Sequence, residues 1–182
     1  MLKSRTRISV PEAFARRIET ATALDAVAEQ VRSSAHDALV APARLDALLG
    51  GEWLGHRVHP VAAQVPMGAW LMAVVLDLAD SEKHAAAVDT LILTGCVTAL
   101  PTAITGVHDL ATTSGPQTRV ALVHAIAMDA TLGLFVTSWI KRRRGDRRAA
   151  RRLALAGVAL AGTGAYLGGH MVYRLGVGID QR

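Results

Sequence analysis

A chain of 182 residues that is 51% hydrophobic and only 19% charged, with a mean hydropathy of +0.30, is too apolar for an ordinary soluble domain. Its net charge of +5 does not mark a nucleic-acid binder, because the basic residues are not interleaved with aromatics along a face but concentrate in one short loop. The single cysteine, Cys96, excludes an internal disulfide framework and any zinc or iron–sulfur site built from this chain's own cysteines.

In chain order, Pro11 opens a helical pattern, EAFARRIETATALDAVAEQVRSSAHDALV, in which Phe14, Ile18, Ala21, Leu24, Val27 and Val31 recur at three- and four-residue steps. Such a face packs against something, and ahead of a membrane domain the expected surfaces are the bilayer interface or a partner subunit. The stretch APARLDALLGGEWLGH then brings the chain to the membrane, with Trp53 expected at headgroup depth. Residues 1–54 are thus read as an amphipathic N-terminal helical segment and residues 55–182 as a transmembrane domain.

Four apolar runs of bilayer-spanning length follow, at about 60–79, 88–107, 120–140 and 153–173. The competing reading is a soluble bundle of four fully buried helices, which leaves too little polar surface to coat it. The joining loops carry the expected breakers: SEKHAA, DLATTSGPQT and KRRRGDRRAARR. The last of these has eight Lys or Arg against one Asp, which by the positive-inside rule places residues 141–152 on the cytoplasmic side of the membrane. The fold expected is all-α: a four-transmembrane-helix bundle preceded by an amphipathic helix.

His59 opens the first span, His108 closes the second, His124 lies just inside the third and His170 near the end of the fourth, so an up-and-down bundle brings all four to one end. Two ungapped internal alignments strengthen the pattern. VHPVAAQVPMGAW from Val58 matches VHAIAMDATLGLF from Val123, and LTGCVTALPTAITGVH matches LAGVALAGTGAYLGGH, which pairs His59 with His124 and His108 with His170. The expected architecture is therefore two repeated helical hairpins related by an axis along the membrane normal. The alternative is that apolar helices rich in Gly and Ala resemble one another through packing alone.

One histidine at a helix end is an ordinary wetted residue, whereas four at matched positions are candidates for function. Neutral imidazole is the commonest metal ligand and the axial ligand of b-type haem, so His59, His108, His124 and His170 are candidate ligands of haem b or of a metal ion. A compact tetrahedral metal would use all four and a haem only two. His56 and Asp109 are candidates for supporting roles, Asp109 as an acceptor orienting the His108 imidazole. His36 and His84 are read as surface residues. Asp77 is read as a structural hydrogen-bonding group, while Asp129 stays open between that role and proton relay. No nucleophile–histidine–acid spacing, phosphate loop or dinucleotide motif is present.

The segments LGHRVHP, PMGAW, VVLDL, ALPTAITG, LVHA and YLGGHMVYRLGVG resemble the bacterial membrane proteins catalogued as domain of unknown function 2231, over about residue 20 to the C-terminus. The family's usual His-Pro-Leu-His-Pro is here HRVHP, with Arg57 in place of the first proline. Members are often followed by a Rieske-type iron–sulfur domain or occur near cytochromes, which implies a redox context. Since this chain runs only to Arg182, an iron–sulfur or cytochrome partner is expected to be a separate polypeptide. The resemblance thus favours an electron-transfer or binding subunit over a stand-alone enzyme. The alternative is a non-redox small transporter or assembly scaffold with structural or pH-sensing histidines.

Overall fold

In a bilayer every backbone N–H and C=O must be paired within the protein, and the apolar runs meet that demand as continuous helices. The computed structural model describes residues 9–80 and 82–179. Residues 1–8, Ser81 and 180–182, which include the outer limits of both expected segments, lie outside the described residues. Among the described residues there is no strand.

Three short helices, α1 (Val10–Glu19), α2 (Asp25–Ala35) and α3 (Ala43–Gly50), precede the bundle. Ser9 caps α1 by accepting the Glu12 N–H, and Pro11 sits in the first turn where no N–H is needed. The continuous helix expected from Pro11 to Val40 is interrupted at Thr20–Leu24. Thr20 turns its hydroxyl back onto the Arg16 carbonyl at 3.0 Å, a bond that competes with helix propagation. A π-turn at His36–Val40 and then Pro42 separate α2 from α3, and Gly51 ends α3 with φ 85°, a left-handed conformation that favours glycine.

The first span is made of α4 (His59–Ala62) and α5 (Gln64–Ala79), with a slight break at Ala63. It is followed by α6 (Ala85–Ala111), α7 (Pro116–Arg143) and α8 (Arg147–Tyr173). All four are long and apolar enough to cross a membrane. The last three have 27, 28 and 27 residues, about 40 Å each at 1.5 Å per residue, so they overrun a hydrocarbon core of about 30 Å. Helix α5 packs on α6 and α7 on α8, and contacts of α6 with α7 and of α5 with α8 close the ring.

At the centre the diagonal helices α5 and α7 meet through Trp70 and Phe135, which stack with centroids 4.6 Å apart. At the end near the arginine-rich loop, Asp77 accepts from Arg142 at 2.7 Å and from Arg151 at 2.9 Å, and Arg142 also binds Asp89. Asp77 and Arg142 are both buried, so each charge is desolvated and depends on its partners. This ion cluster links the loop helices α7 and α8 to α5 and α6.

The N-terminal helices cover the opposite end. Ala15 and Ile18 of α1 are buried with Val120 of α7 and Leu167 of α8. The apolar face expected to seek a lipid interface or a partner subunit is thus partly used by the chain itself. Phe14, Val27 and Val31 of that face stay exposed.

Candidate functional site

The end of the bundle beneath α1–α3 carries all four candidate histidines, in two different settings. His59 starts α4, and its Nδ1 lies 3.0 Å from the carbonyl oxygen of Thr102 on α6, with the Thr105 hydroxyl at 3.4 Å. His124, one helical turn or more inside α7, places its Nδ1 2.8 Å from the carbonyl oxygen of Gly164 on α8. A carbonyl oxygen only accepts, so both rings donate from Nδ1–H and each keeps the Nε2 lone pair. No partner of either Nε2 occurs among the described residues. The two rings meet edge to face, centroids 6.2 Å apart and planes at 89°.

Glycines make room for these rings. A Cβ on Gly106 would lie 2.8 Å from His59 Cε1, and one on Gly168 would lie 3.4 Å from His124 Cε1. Helix α6 therefore has to be bare where His59 lies on it.

His108 and His170 face the N-terminal helices instead. His108 is fully buried and donates from Nε2 to Asp46 Oδ1 of α3 at 2.9 Å. Its Nδ1 lies 3.5 Å from Asp109 Oδ1, too long and poorly aimed for a hydrogen bond, and Asp109 is held by Arg57 at 3.3 Å. His170 pairs through Nε2 with Glu19 of α1 at 2.6 Å, with the Tyr166 ring stacked 6.2 Å away. His56 is exposed, and its ring hydrogen-bonds the Arg57 carbonyl oxygen.

The structure thus brings His59 and His124 together and directs His108 and His170 to carboxylates. Among the described residues no group of three or more His, Cys, Asp or Glu side chains is placed to hold a metal ion. Two imidazoles with their Nδ1–H groups anchored on carbonyls are held in the way that ligating histidines usually are. Asp129 stands apart from all of these, exposed on α7.

Reading the sequence missed the partners rather than the histidines. Thr102 and Gly164 occupy equivalent positions of the second internal alignment, 62 residues apart as His108 and His170 are, so that alignment held a signal for them. Glu19 and Asp46 lie in a segment with no counterpart in the repeat, and no spacing rule pointed to them.

Four helices of spanning length, a buried ion cluster at one end and a histidine-bearing end capped by short helices define a multi-pass integral membrane protein. The chain belongs to the DUF2231 family, described as predicted membrane protein, whose profile matches residues 55–181. No curated protein and no solved structure matches it.

Proposed function

We propose that this protein is a redox-associated membrane subunit in which His59 and His124 present their Nε2 lone pairs to one shared group, haem b or a metal ion, and serve a separate iron–sulfur or cytochrome protein. The observation that carries the reading is the matched pinning of two neighbouring imidazoles, Nδ1 to Thr102 O and Nδ1 to Gly164 O, with both Nε2 atoms without a partner among the described residues. Such a group, when bound, would supply one-electron chemistry. The chain's own residues orient the rings through the Thr102 and Gly164 carbonyls.

The same pairs support a duplicated hairpin. Trp70 rests on Gly95 as Phe135 rests on Gly157, and His59 lies on Gly106 as His124 lies on Gly168, each at equivalent positions of the internal alignments. The repeat predicts a pseudo-two-fold axis along the membrane normal, running between the two stacked rings and between the two histidines. The N-terminal helices α1–α3 serve as a cap, with Asp46 and Glu19 clamped to His108 and His170. The proposed setting is the bacterial inner membrane with residues 141–152 in the cytoplasm. Cysteines at Ser114 and Arg144, in a Cys96→Ala background, would then be labelled from opposite sides; labelling from one side overturns the topology.

Protein purified from haem- and metal-replete membranes tests the ligation. An absorption band of haem, or stoichiometric metal, that is lost in His59→Ala and His124→Ala but kept in His108→Ala is the expected result. Neither haem nor metal in the wild-type protein overturns it. In that event the two histidine–carboxylate clamps favour the second reading, a non-redox membrane scaffold whose histidines hold the cap.

A further inference from the structure

The helix α7 carries one charged residue deep in its apolar stretch. Asp129 is ten residues from Arg119 and twelve from Lys141, about 15 and 18 Å along the helix, which places it well inside the apolar stretch. It is exposed, and no hydrogen bond or ion pair of its side chain occurs among the described residues. A carboxylate in that position, facing hydrocarbon and without a donor, is costly, and such residues ordinarily face protein or water.

Its neighbours point the same way. Gly133, one turn from Asp129 on the same face, would meet nothing within 4 Å if it carried a Cβ, in contrast to Gly95, Gly106 and Gly157, which make room for Trp70, His59 and Phe135. A mid-helix glycine that serves no contact inside the bundle leaves the backbone open to close approach from outside.

A matching face lies on α5, on the opposite side of the bundle, because α5 and α7 are diagonal and meet at its centre through Trp70 and Phe135. There Gln64 and Gly68 are exposed, and a Cβ on Gly68 would again meet nothing within 4 Å. The His59 and His124 rings are in contact, so they share one level; Gln64 and Asp129 each follow their histidine by five residues on helices that run the same way. Gln64 and Asp129 therefore lie at the same depth. One amide N–H of Gln64 bonds the Pro60 carbonyl at 3.2 Å, and the other N–H is available to an acceptor.

We propose that a second copy of this chain docks on the Asp129 face of α7 with its own α5, placing its Gln64 amide against the Asp129 carboxyl and Gly68 beside Gly133. The contact supplies the missing donor at the same depth and sets the open glycines Gly68 and Gly133 side by side. It joins unlike faces, so in a pair one copy keeps a free α5 face and the other a free α7 face, and further copies add in the membrane plane.

Oxidative cross-linking in native membranes tests this, in a Cys96→Ala background with cysteines at Val65 and Ala130, exposed neighbours of Gln64 and Asp129. Two differently tagged chains, one Val65→Cys and one Ala130→Cys, should cross-link when co-expressed, and neither should cross-link alone. A chain carrying both cysteines should give a ladder of multimers. Ala130→Cys alone forming a dimer would mean an Asp129-to-Asp129 contact and overturn the proposal.

Subunit counting by photobleaching in liposomes provides the second measurement. Asp129→Leu should convert multimers to monomers while Asp129→Asn, which still pairs with an amide, keeps them. Circular dichroism checks that the helices persist. Monomeric wild-type protein, or Asp129→Leu multimers as abundant as the wild type, overturns the proposal, whether the face is then free or covered by a different membrane protein.

Discussion

Trp70 and Phe135 lie face to face across the centre of the bundle, centroids 4.6 Å apart and planes within 1°, and each also lies against a glycine of a neighbouring helix. The stack sets the distance between the diagonal helices, and the glycines let α6 and α8 close around it. A Cβ at Gly95 would lie 2.3 Å from the Trp70 indole nitrogen, and one at Gly157 would lie 2.7 Å from the Phe135 ring. Gly95→Ala and Gly157→Ala are expected to destabilise by about 1–3 kcal/mol through overpacking. Gly162→Ala, where a Cβ meets nothing within 4 Å, is expected to stabilise the helix by about 0.5–1 kcal/mol. Thermal unfolding in detergent followed by circular dichroism ranks the three, and equal effects would mean that the ring contacts do not set the packing.

The ion cluster at the arginine end behaves as a unit. Arg142→Met leaves the buried Asp77 with fewer donors and removes the partner of Asp89, at an expected cost of about 3–5 kcal/mol. Combining it with Asp77→Leu should cost less than the sum of the two single changes, because the uncompensated carboxylate is gone. A double-mutant cycle on thermal stability measures that difference.

The two histidine cradles differ in tightness. Gly106→Ala puts a methyl 2.8 Å from His59 Cε1 and should push the ring off the Thr102 carbonyl, whereas Gly168→Ala, at 3.4 Å, needs a shift of only a few tenths of an ångström at His124. Imidazole nitrogen chemical shifts of the two rings should record a large change for the first substitution and a small one for the second. If the protein carries haem or metal, its affinity should fall in the same order.

The cap is also tied to α7 through Asp25, whose carboxylate accepts from Arg119 Nε and, at 3.0 Å, from Nη2, while Arg119 Nη1 donates to the Glu19 carbonyl. The Arg119 hydrogen bonds hold the Asp25 carboxyl below its ordinary range, against a smaller opposing effect of desolvation. Because the folded value is the lower one, this contribution is fully present above the unfolded value and is lost as pH falls through the folded one. The α2 amides should therefore keep the same hydrogen-exchange protection from pH 8 down to the usual carboxylate range and lose part of it only at more acid pH. Asp25→Asn should remove that acid step and lower protection at neutral pH.

The four spans were legible because their cause is local. A run of about 20 apolar residues crosses the hydrocarbon and pairs its own backbone wherever it lies, so 60–79, 88–107, 120–140 and 153–173 all fall within observed helices. The ends of those helices were not legible, since α6, α7 and α8 continue past the apolar runs where capping and contact with α1–α3, rather than lipid, support them. The collection of His59, His108, His124 and His170 at one end followed from helix count and direction alone. Their division into two settings did not.

Which nitrogen of each ring is used depends on carbonyls and carboxylates brought in from far along the chain: Thr102 and Gly164 43 and 40 residues from their histidines, Asp46 62 residues from His108, Glu19 151 residues from His170. Periodicity reports which side of a helix is apolar, not what docks against it. The same limit hid the break at Thr20–Leu24, where two helices need different surfaces of the bundle, and left the direction of Asp129 open. Only the crossing of α5 and α7 at Trp70 and Phe135 decided that Asp129 faces outward, because the rotation of a helix about its axis is set by what packs at its centre.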